Sequence, residues 1–257
     1  MSKYLKVEFK RAILSRNALI SFIITILAFL IAFLECILYW QEGLHGLDHL
    51  FDASSIFIRI RYMNPSSYLF VIAPILATMI FSDSYLLDKE SGFLKSIYAR
   101  MSKRKYIFTK IMVNSIVSGL VIALASAIVL IILIKMYGIR DVHMQSGLGA
   151  FSFIFYKSRI LYCVFLILIS FIFNAIFATL ALGISPWIKN RYLAMLAPFF
   201  YYIIAVPLFP AWMSPITLFS LEGVLNEFQI IIYQLILLFI GVISFYYGVK
   251  YDYEKNL

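Results

Sequence analysis

Apolar residues run through this chain in six long stretches, parted by short polar and basic segments. The stretches cover about 18–40, 66–84, 111–137, 160–184, 192–209 and 228–249. A helix needs roughly 20 apolar residues to cross the hydrocarbon of a bilayer. Each stretch therefore predicts a transmembrane helix, and the fold class is all-α and polytopic. The first is too long for the apolar region of a secretory signal and is read as a retained span. The fifth is short and closes on Pro207 and Pro210. No repeat of 20–50 residues and no soluble domain interrupts the pattern, so residues 1–257 read as one transmembrane domain.

Between the spans three segments carry their own pattern. In residues 1–17 Leu5, Phe9 and Ile13 recur every four residues beside Lys6 and Lys10, which predicts a basic helix lying in the interface. The outer loop 41–64 has apolar residues at 44, 47, 50 and 51, the spacing of a short interfacial helix. Residues 210–227 are too apolar for a plain loop and too broken for a span, with Pro210 and Pro215 inside them. They predict a re-entrant segment before the last span, a form tolerated only where protein or a water-filled cavity surrounds the backbone.

Composition agrees with a lipid-solvated chain. It is 63% hydrophobic and 14% charged, against about 45–50% and about 25% for soluble domains. The net charge of +9 lies between the apolar runs, so it reads as a topology signal and a contact for anionic lipid, not as a nucleic-acid surface. With the amino terminus inside, the inner segments hold 16 of the 22 basic residues and the outer segments 6. Both termini are then cytoplasmic and the protein sits in the plasma membrane. Cys36 and Cys163 fall within spans and read as apolar filler.

The segment richest in chemistry is the inner loop 83–110. Asp83, Asp88 and Glu90 gather at the end of the second span, and Ser91-Gly92 can break a helix there. Phe93, Leu94, Ile97, Tyr98 and Met101 then recur at helical spacing beside Lys95, Arg100 and Lys103. This predicts a short amphipathic helix over about 88–101, able to lie on lipid or dock in a partner's groove.

These residues resemble the permease subunits of ABC-2 type ATP-binding cassette transporters. The resemblance rests on Asp88, Glu90-Ser91-Gly92, the apolar Phe93 to Tyr98, the basic turn Ser102-Lys103-Arg104, and Lys110 opening the third span. Met101 stands where the family often has Pro, and Thr109 where it often has Gly. Glu8-Phe9-Lys10-Arg11 with Ser15-Arg16 resembles the family's elbow helix, and Ser214-Pro215 a pair in its re-entrant segment. The resemblance implies a coupling helix seated on a separate ATPase, with Asp88, Glu90, Gly92, Phe93, Leu94, Ile97, Tyr98, Arg100 and Arg104 at the contact. It implies two ATPase subunits, which hold ATP and Mg, and a second permease, identical or homologous. The chain has no Gly-Lys pair and hence no phosphate-cradling loop, so no cofactor and no enzymatic activity is expected in it.

Substrate residues follow from the same resemblance. Phe29, Phe33, Phe199, Phe200, Tyr201, Tyr202 and Phe209 lie along spans one and five, which line the dimer cavity in that family; packing of a seam between two copies is the alternative. Glu35 is an ionisable residue inside span one, facing the cavity, the seam or the headgroups. The spans lack charge rings for a hydrophilic ion, so the expected cargo is amphipathic, a peptide toxin or antimicrobial peptide. A lipid, glycan or drug exporter and an immunity or sensor component without transport are the alternatives. Asn114 and Asn174 are expected to bond between helices. His45, Asp48, His49 and Asp52 hint at a metal cluster, but no third fixed ligand or general base completes one and no metal is expected.

Overall fold

The computed structural model describes residues 2–39, 51–63, 68–140, 149–210, 214–221 and 226–255. Within these, six helices are long and apolar enough to cross a membrane. A short helix α1 (Ser2–Ile13) precedes the first of them, α2 (Arg16–Tyr39). Next come α3 (Ala53–Ile58), continued by one π turn at Arg59–Met63, and α4 (Leu69–Phe81). The short pair α5 (Ser84–Glu90) and α6 (Phe93–Arg100) leads into α7 (Lys103–Tyr137). The chain finishes with α8 (Ser152–Lys157), α9 (Arg159–Ile184), α10 (Arg191–Leu208), α11 (Thr217–Ser220) and α12 (Glu227–Lys255). No strand occurs among the described residues.

Local chemistry sets the helix ends. The Asn190 side chain accepts from the amides of Tyr192 and Leu193 and so opens α10. Pro207 sits in the last turn of α10, which ends at Leu208, as the two prolines predict. The loop expected as a single helix over 88–101 is instead two. Residues 88–90 complete α5, and Gly92, at φ +71°, turns the chain into α6. That left-handed conformation carries no penalty in glycine. The third span also starts earlier than its apolar run, at Lys103. Its 35 residues rise roughly 52 Å at about 1.5 Å each, more than the hydrocarbon needs, so its basic first two turns stand beyond the apolar zone.

α9 is the centre of the bundle and packs against α4, α7, α10 and α12. A Cβ on Gly183 would lie 2.5 Å from the carbonyl oxygen of Gly241, and one on Gly241 would lie 2.9 Å from the backbone of Thr179. Small residues thus let α9 and α12 meet backbone to backbone, a device suited to lipid, where apolar side chains gain little by leaving the solvent. Asn114 of α7 donates to the Ala178 carbonyl at 2.7 Å, and Ser82 reaches the same oxygen at 3.1 Å. Asn114 therefore bonds between helices as expected. Asn174 instead donates to the Ser170 carbonyl of its own helix.

Segment 51–61, placed by its sequence in an outer loop, is buried inside the bundle. Every residue of α3 is enclosed. Phe51, Ile56, Phe57 and Ile60 join one core with Phe29 and Ala32 of α2, Leu130 and Leu133 of α7, and Tyr162 and Leu166 of α9. Asp52, itself fully buried, caps α3 by accepting from the Ser55 amide at 3.0 Å and from the hydroxyls of Ser54 and Ser55. His45, Asp48, His49 and His143 lie outside the described residues.

Candidate functional site

The described charges concentrate at the end of the bundle where the two termini meet. Lys110, with no exposed surface, points from α7 toward two buried carboxylates. Its Nζ is 2.7 Å from Glu8 of α1 and 2.7 Å from Asp88 of α5. Arg11 of α1 donates to Asp88 at 2.6 Å and lies 3.5 Å from Glu8. The Tyr106 hydroxyl donates to the second oxygen of Asp88 at 3.1 Å, and the Phe81 ring lies under both Lys110 and Arg11 at 5.0 and 5.8 Å. Two acids and two bases balance formally, and every carboxylate oxygen has a cation beside it. Buried charges persist only when paired and hydrogen-bonded in this way. Burial works against the Arg11 charge, yet Asp88 and Glu8 outweigh it and hold the guanidinium's pKa above its ordinary value. Burial, with Glu8 and Asp88 next to it, likewise pushes the Tyr4 phenol upward, so it stays neutral.

This network joins three elements far apart in sequence: α1, the end of α5 and the start of α7. A second clamp comes from the far end of the sequence. Asp252 of α12 accepts from the Tyr85 hydroxyl and from Lys89 Nζ, each at 2.6 Å. Tyr253 meets Tyr98 edge to face at 5.6 Å, and Tyr98 meets Tyr106 at 5.5 Å. Leu94 and Ile97 turn inward to a core with Tyr85, Tyr106 and Phe245. Helix α6 is thus bolted to α5, α7 and α12. Its exposed remainder is Phe93, Lys95, Ser96, Ala99 and Arg100, and beside it opens a cavity of about 710 Å³ lined by Tyr85, Lys89, Lys95, Tyr98, Asp252 and Tyr253.

The residues expected at a partner contact therefore divide. Phe93, Arg100 and Arg104 are exposed and Glu90 faces solvent 3.5 Å from Arg191. Gly92 is exposed at the turn. Asp88, Leu94 and Ile97 are not free for a partner in this conformation: Asp88 is spent in the ion network, Leu94 and Ile97 in the core. Tyr98 is half-buried. The aromatic path divides in the same way. Phe29 is buried against Phe57 at 6.0 Å, and Tyr202 is enclosed by Phe173 and Phe177 while donating to the Phe70 carbonyl at 2.8 Å. Both are core residues, because the segment 51–61 and helix α9 fill the space expected to be open. Phe33 meets Tyr137 edge to face. Phe199 and Glu35 are half-exposed on α10 and α2.

At the other end of the bundle the sequence concealed a buried cation. Arg61 is 1% exposed. Its Nε and Nη2 donate to the Ser170 hydroxyl at 3.2 and 3.0 Å, and its guanidinium lies 4.2 Å from the Phe219 ring centre. Ser170 is eleven residues into the 26-residue α9, close to mid-span. Phe219 belongs to α11, within the stretch expected to re-enter, and meets Phe173 at 5.2 Å. A cation at that depth is expensive and marks a functional or architectural site. Its signal in sequence was the apolar Ile56, Phe57, Ile58 and Ile60 around it, which no exposed loop requires. Asp252 and Tyr253, at the end of the last helix, carry no comparable sequence signal.

No family model matches this sequence, and no curated protein or solved structure shows significant similarity to it.

Proposed function

We propose that this chain is the permease subunit of an ATP-driven exporter of the ABC-2 type, pairing with a second permease and carried on two separate ATPase subunits. What supports the reading is the anchoring of α6. An exposed amphipathic helix that merely set topology would need no fixed mount. Here a buried four-charge network and the Asp252 clamp tie it, through α5, to the interfacial helix α1 and to the second, third and sixth spans. A push on Phe93 or Arg100 is then delivered to several spans at once, which is the mechanical requirement for coupling a nucleotide-driven motion to a transmembrane path. In this reading α1 is the interfacial elbow, α6 the coupling helix, and 214–221 part of the re-entrant segment. ATP and Mg belong to the partner.

Orientation follows from charge. With the buried Lys110 and Arg61 set aside, one from each side, the basic excess still lies at the termini end, which supports cytoplasmic termini in a plasma-membrane protein. The cargo in this reading is an amphipathic molecule, a peptide toxin or antimicrobial peptide, since no charge ring lines the spans among the described residues.

The test is purification with and without the exposed face of α6. Affinity-tagged chain from native membranes should bring down a nucleotide-binding subunit whose ATP hydrolysis responds to cationic amphipathic peptides. Phe93→Ala with Arg100→Ala removes two exposed anchors while leaving the inward face intact, and each lost anchor at an interface centre costs about 2 kcal/mol or more. The ATPase should dissociate or lose its peptide response. A double variant that keeps a fully coupled complex overturns the reading, as does wild-type chain that purifies with no ATPase at all.

A further inference from the structure

A second cavity, of about 380 Å³, lies at the termini end between α2, α4 and α10. Its walls are Ile75, Thr78 and Met79 of α4, Asn17 of α2, Met195 and Leu196 of α10, with Arg191 and Tyr192 at the start of α10 and Asp83 just past α4. The size is within the range of small-ligand sites, about 300–1,000 Å³. Most of its polar groups already have partners. Asn17 donates to the Met79 carbonyl at 2.9 Å, and Thr78 to the Ile75 carbonyl at 2.9 Å. Arg191 faces Glu90 at 3.5 Å. Asp83 differs: it is 9% exposed, and among the described residues its carboxylate takes part in no contact ion pair and accepts only from its own backbone amide. The nearest other cations, Arg11 and Lys110, are engaged by Glu8 and Asp88.

A nearly buried carboxylate with no contact ion pair is costly unless something supplies one. Arg191, on the same wall, is the cation that bears most on Asp83, and it is shared with Glu90 at 3.5 Å, so two carboxylates draw on one guanidinium. Apart from Asn17, Thr78 and Arg191, whose polar groups have partners, the rest of the wall is aliphatic, thioether and aromatic, and α10, one of its sides, is the least enclosed of the six spans. An apolar tail can therefore reach the cavity along the lipid-facing side while a cationic head meets Asp83, with the Tyr192 ring available to its face.

We propose that this cavity binds the ammonium head of a membrane-partitioned amphipathic cation, with Asp83 as its counter-ion. The proposal deepens the exporter reading by naming the chemical class of its cargo at a loading site, and rests on that reading only for the direction of travel. The site itself is tested without ATPase or nucleotide, so its failure and the failure of coupling are read in different experiments.

The whole chain in nanodiscs of zwitterionic lipid is titrated calorimetrically with dodecylammonium and, separately, with 1-dodecanol, each corrected against empty nanodiscs. A charge-assisted contact in a low-dielectric site should favour the ammonium by about tenfold or more over the alcohol. Asp83→Asn should bring the two to equal affinity, and Asp83→Glu should restore the preference. Met195→Trp, which fills the cavity and leaves Asp83 in place, should weaken both ligands. Equal affinities in the wild-type chain overturn the proposal. So does a preference retained in folded Asp83→Asn. If Asp83→Asn does not fold, wild-type affinity for dodecylammonium in Met195→Trp overturns it by placing the ligand elsewhere.

Discussion

Replacing Lys110 by Met isolates the charge balance at the termini end. The side chains are close in length, so the stem of the residue remains packed on Phe81 and Tyr106. What is lost is one fully buried ammonium with two contacts of 2.7 Å, to Glu8 and to Asp88. Arg11 stays at 2.6 Å from Asp88, but its distance to Glu8 is 3.5 Å. Glu8, 1% exposed, is left with one long contact and no access to water, and the cluster carries a net buried negative charge. Removing one partner of a buried pair costs about 3–5 kcal/mol. Since Arg11 retains a partial hold on both acids, the lower part of that range is expected, about 3 kcal/mol. The compensated variant Lys110→Met with Glu8→Gln keeps the 2.6 Å Arg11–Asp88 pair and restores neutrality. It should recover roughly 2 kcal/mol of the loss, a coupling of the size expected within one polar network. Reversible unfolding in mixed micelles measures the stability, and amide exchange over 84–100 measures the anchoring of α5 and α6. Exchange should accelerate in Lys110→Met and slow again in the double variant. A single variant within about 0.5 kcal/mol of wild type, or a double variant that adds a second full loss, refutes the account of this cluster as a balanced unit.

Two further predictions concern the rest of the bundle. Gly183→Leu should separate α9 from α12, because even a Cβ there meets the Gly241 carbonyl oxygen at 2.5 Å; overpacking of about 1–3 kcal/mol or more should appear in the same unfolding assay, and an unperturbed variant would show that the helices do not touch. Ser170→Ala removes the acceptor of two Arg61 hydrogen bonds and should cost about 1.5–3 kcal/mol, the range for bonds to a charged group, while Ser126→Ala, whose hydroxyl bonds only within its own helix, serves as the near-neutral control; equal effects would mean that Arg61 does not depend on Ser170.

The long elements were legible because lipid imposes one period and one length on them. All six predicted spans appear within a few residues at most ends, and the exceptions have simple causes. α7 begins at Lys103 instead of near 111 because Lys, Arg and Tyr continue a helix well once the apolar requirement is relaxed outside the bilayer. The order acidic, Gly, apolar, basic in 83–110 did announce a turn and a short amphipathic helix. Amphipathicity alone, however, could not say which face turns inward. Leu94 and Ile97 were candidates for a partner's groove and are instead held by Tyr85, Tyr106 and Phe245. Nor can spacing reveal that Glu8, Asp88 and Lys110 meet, since they are separated by 80 and 22 residues and only tertiary packing brings them together.

The least legible region is the segment 51–61, because its two arginines mask its burial. Positively charged residues outside an apolar run read as loop, and Arg59 and Arg61 fit that rule. The rule assumes that a cation must reach water or headgroups. Arg61 is held instead by the Ser170 hydroxyl, the Phe219 face and the packing of Phe57 on Phe29. Once this segment enters the bundle, it occupies the space between α2, α7 and α9, and Phe29 becomes a core residue instead of a wall. The same entry brings the π turn after α3 and the short α11, far apart in sequence, onto the middle of α9 through Arg61 and Phe173. Among the described residues the far end is therefore cross-braced, while the two cavities described above open at the termini end. In an exporter built from this chain, loading from the termini side would need little rearrangement within one subunit. Release at the far side would then run along the exposed faces of α2 and α10, since among the described residues Phe29, Phe57 and Tyr202 fill the interior of one subunit.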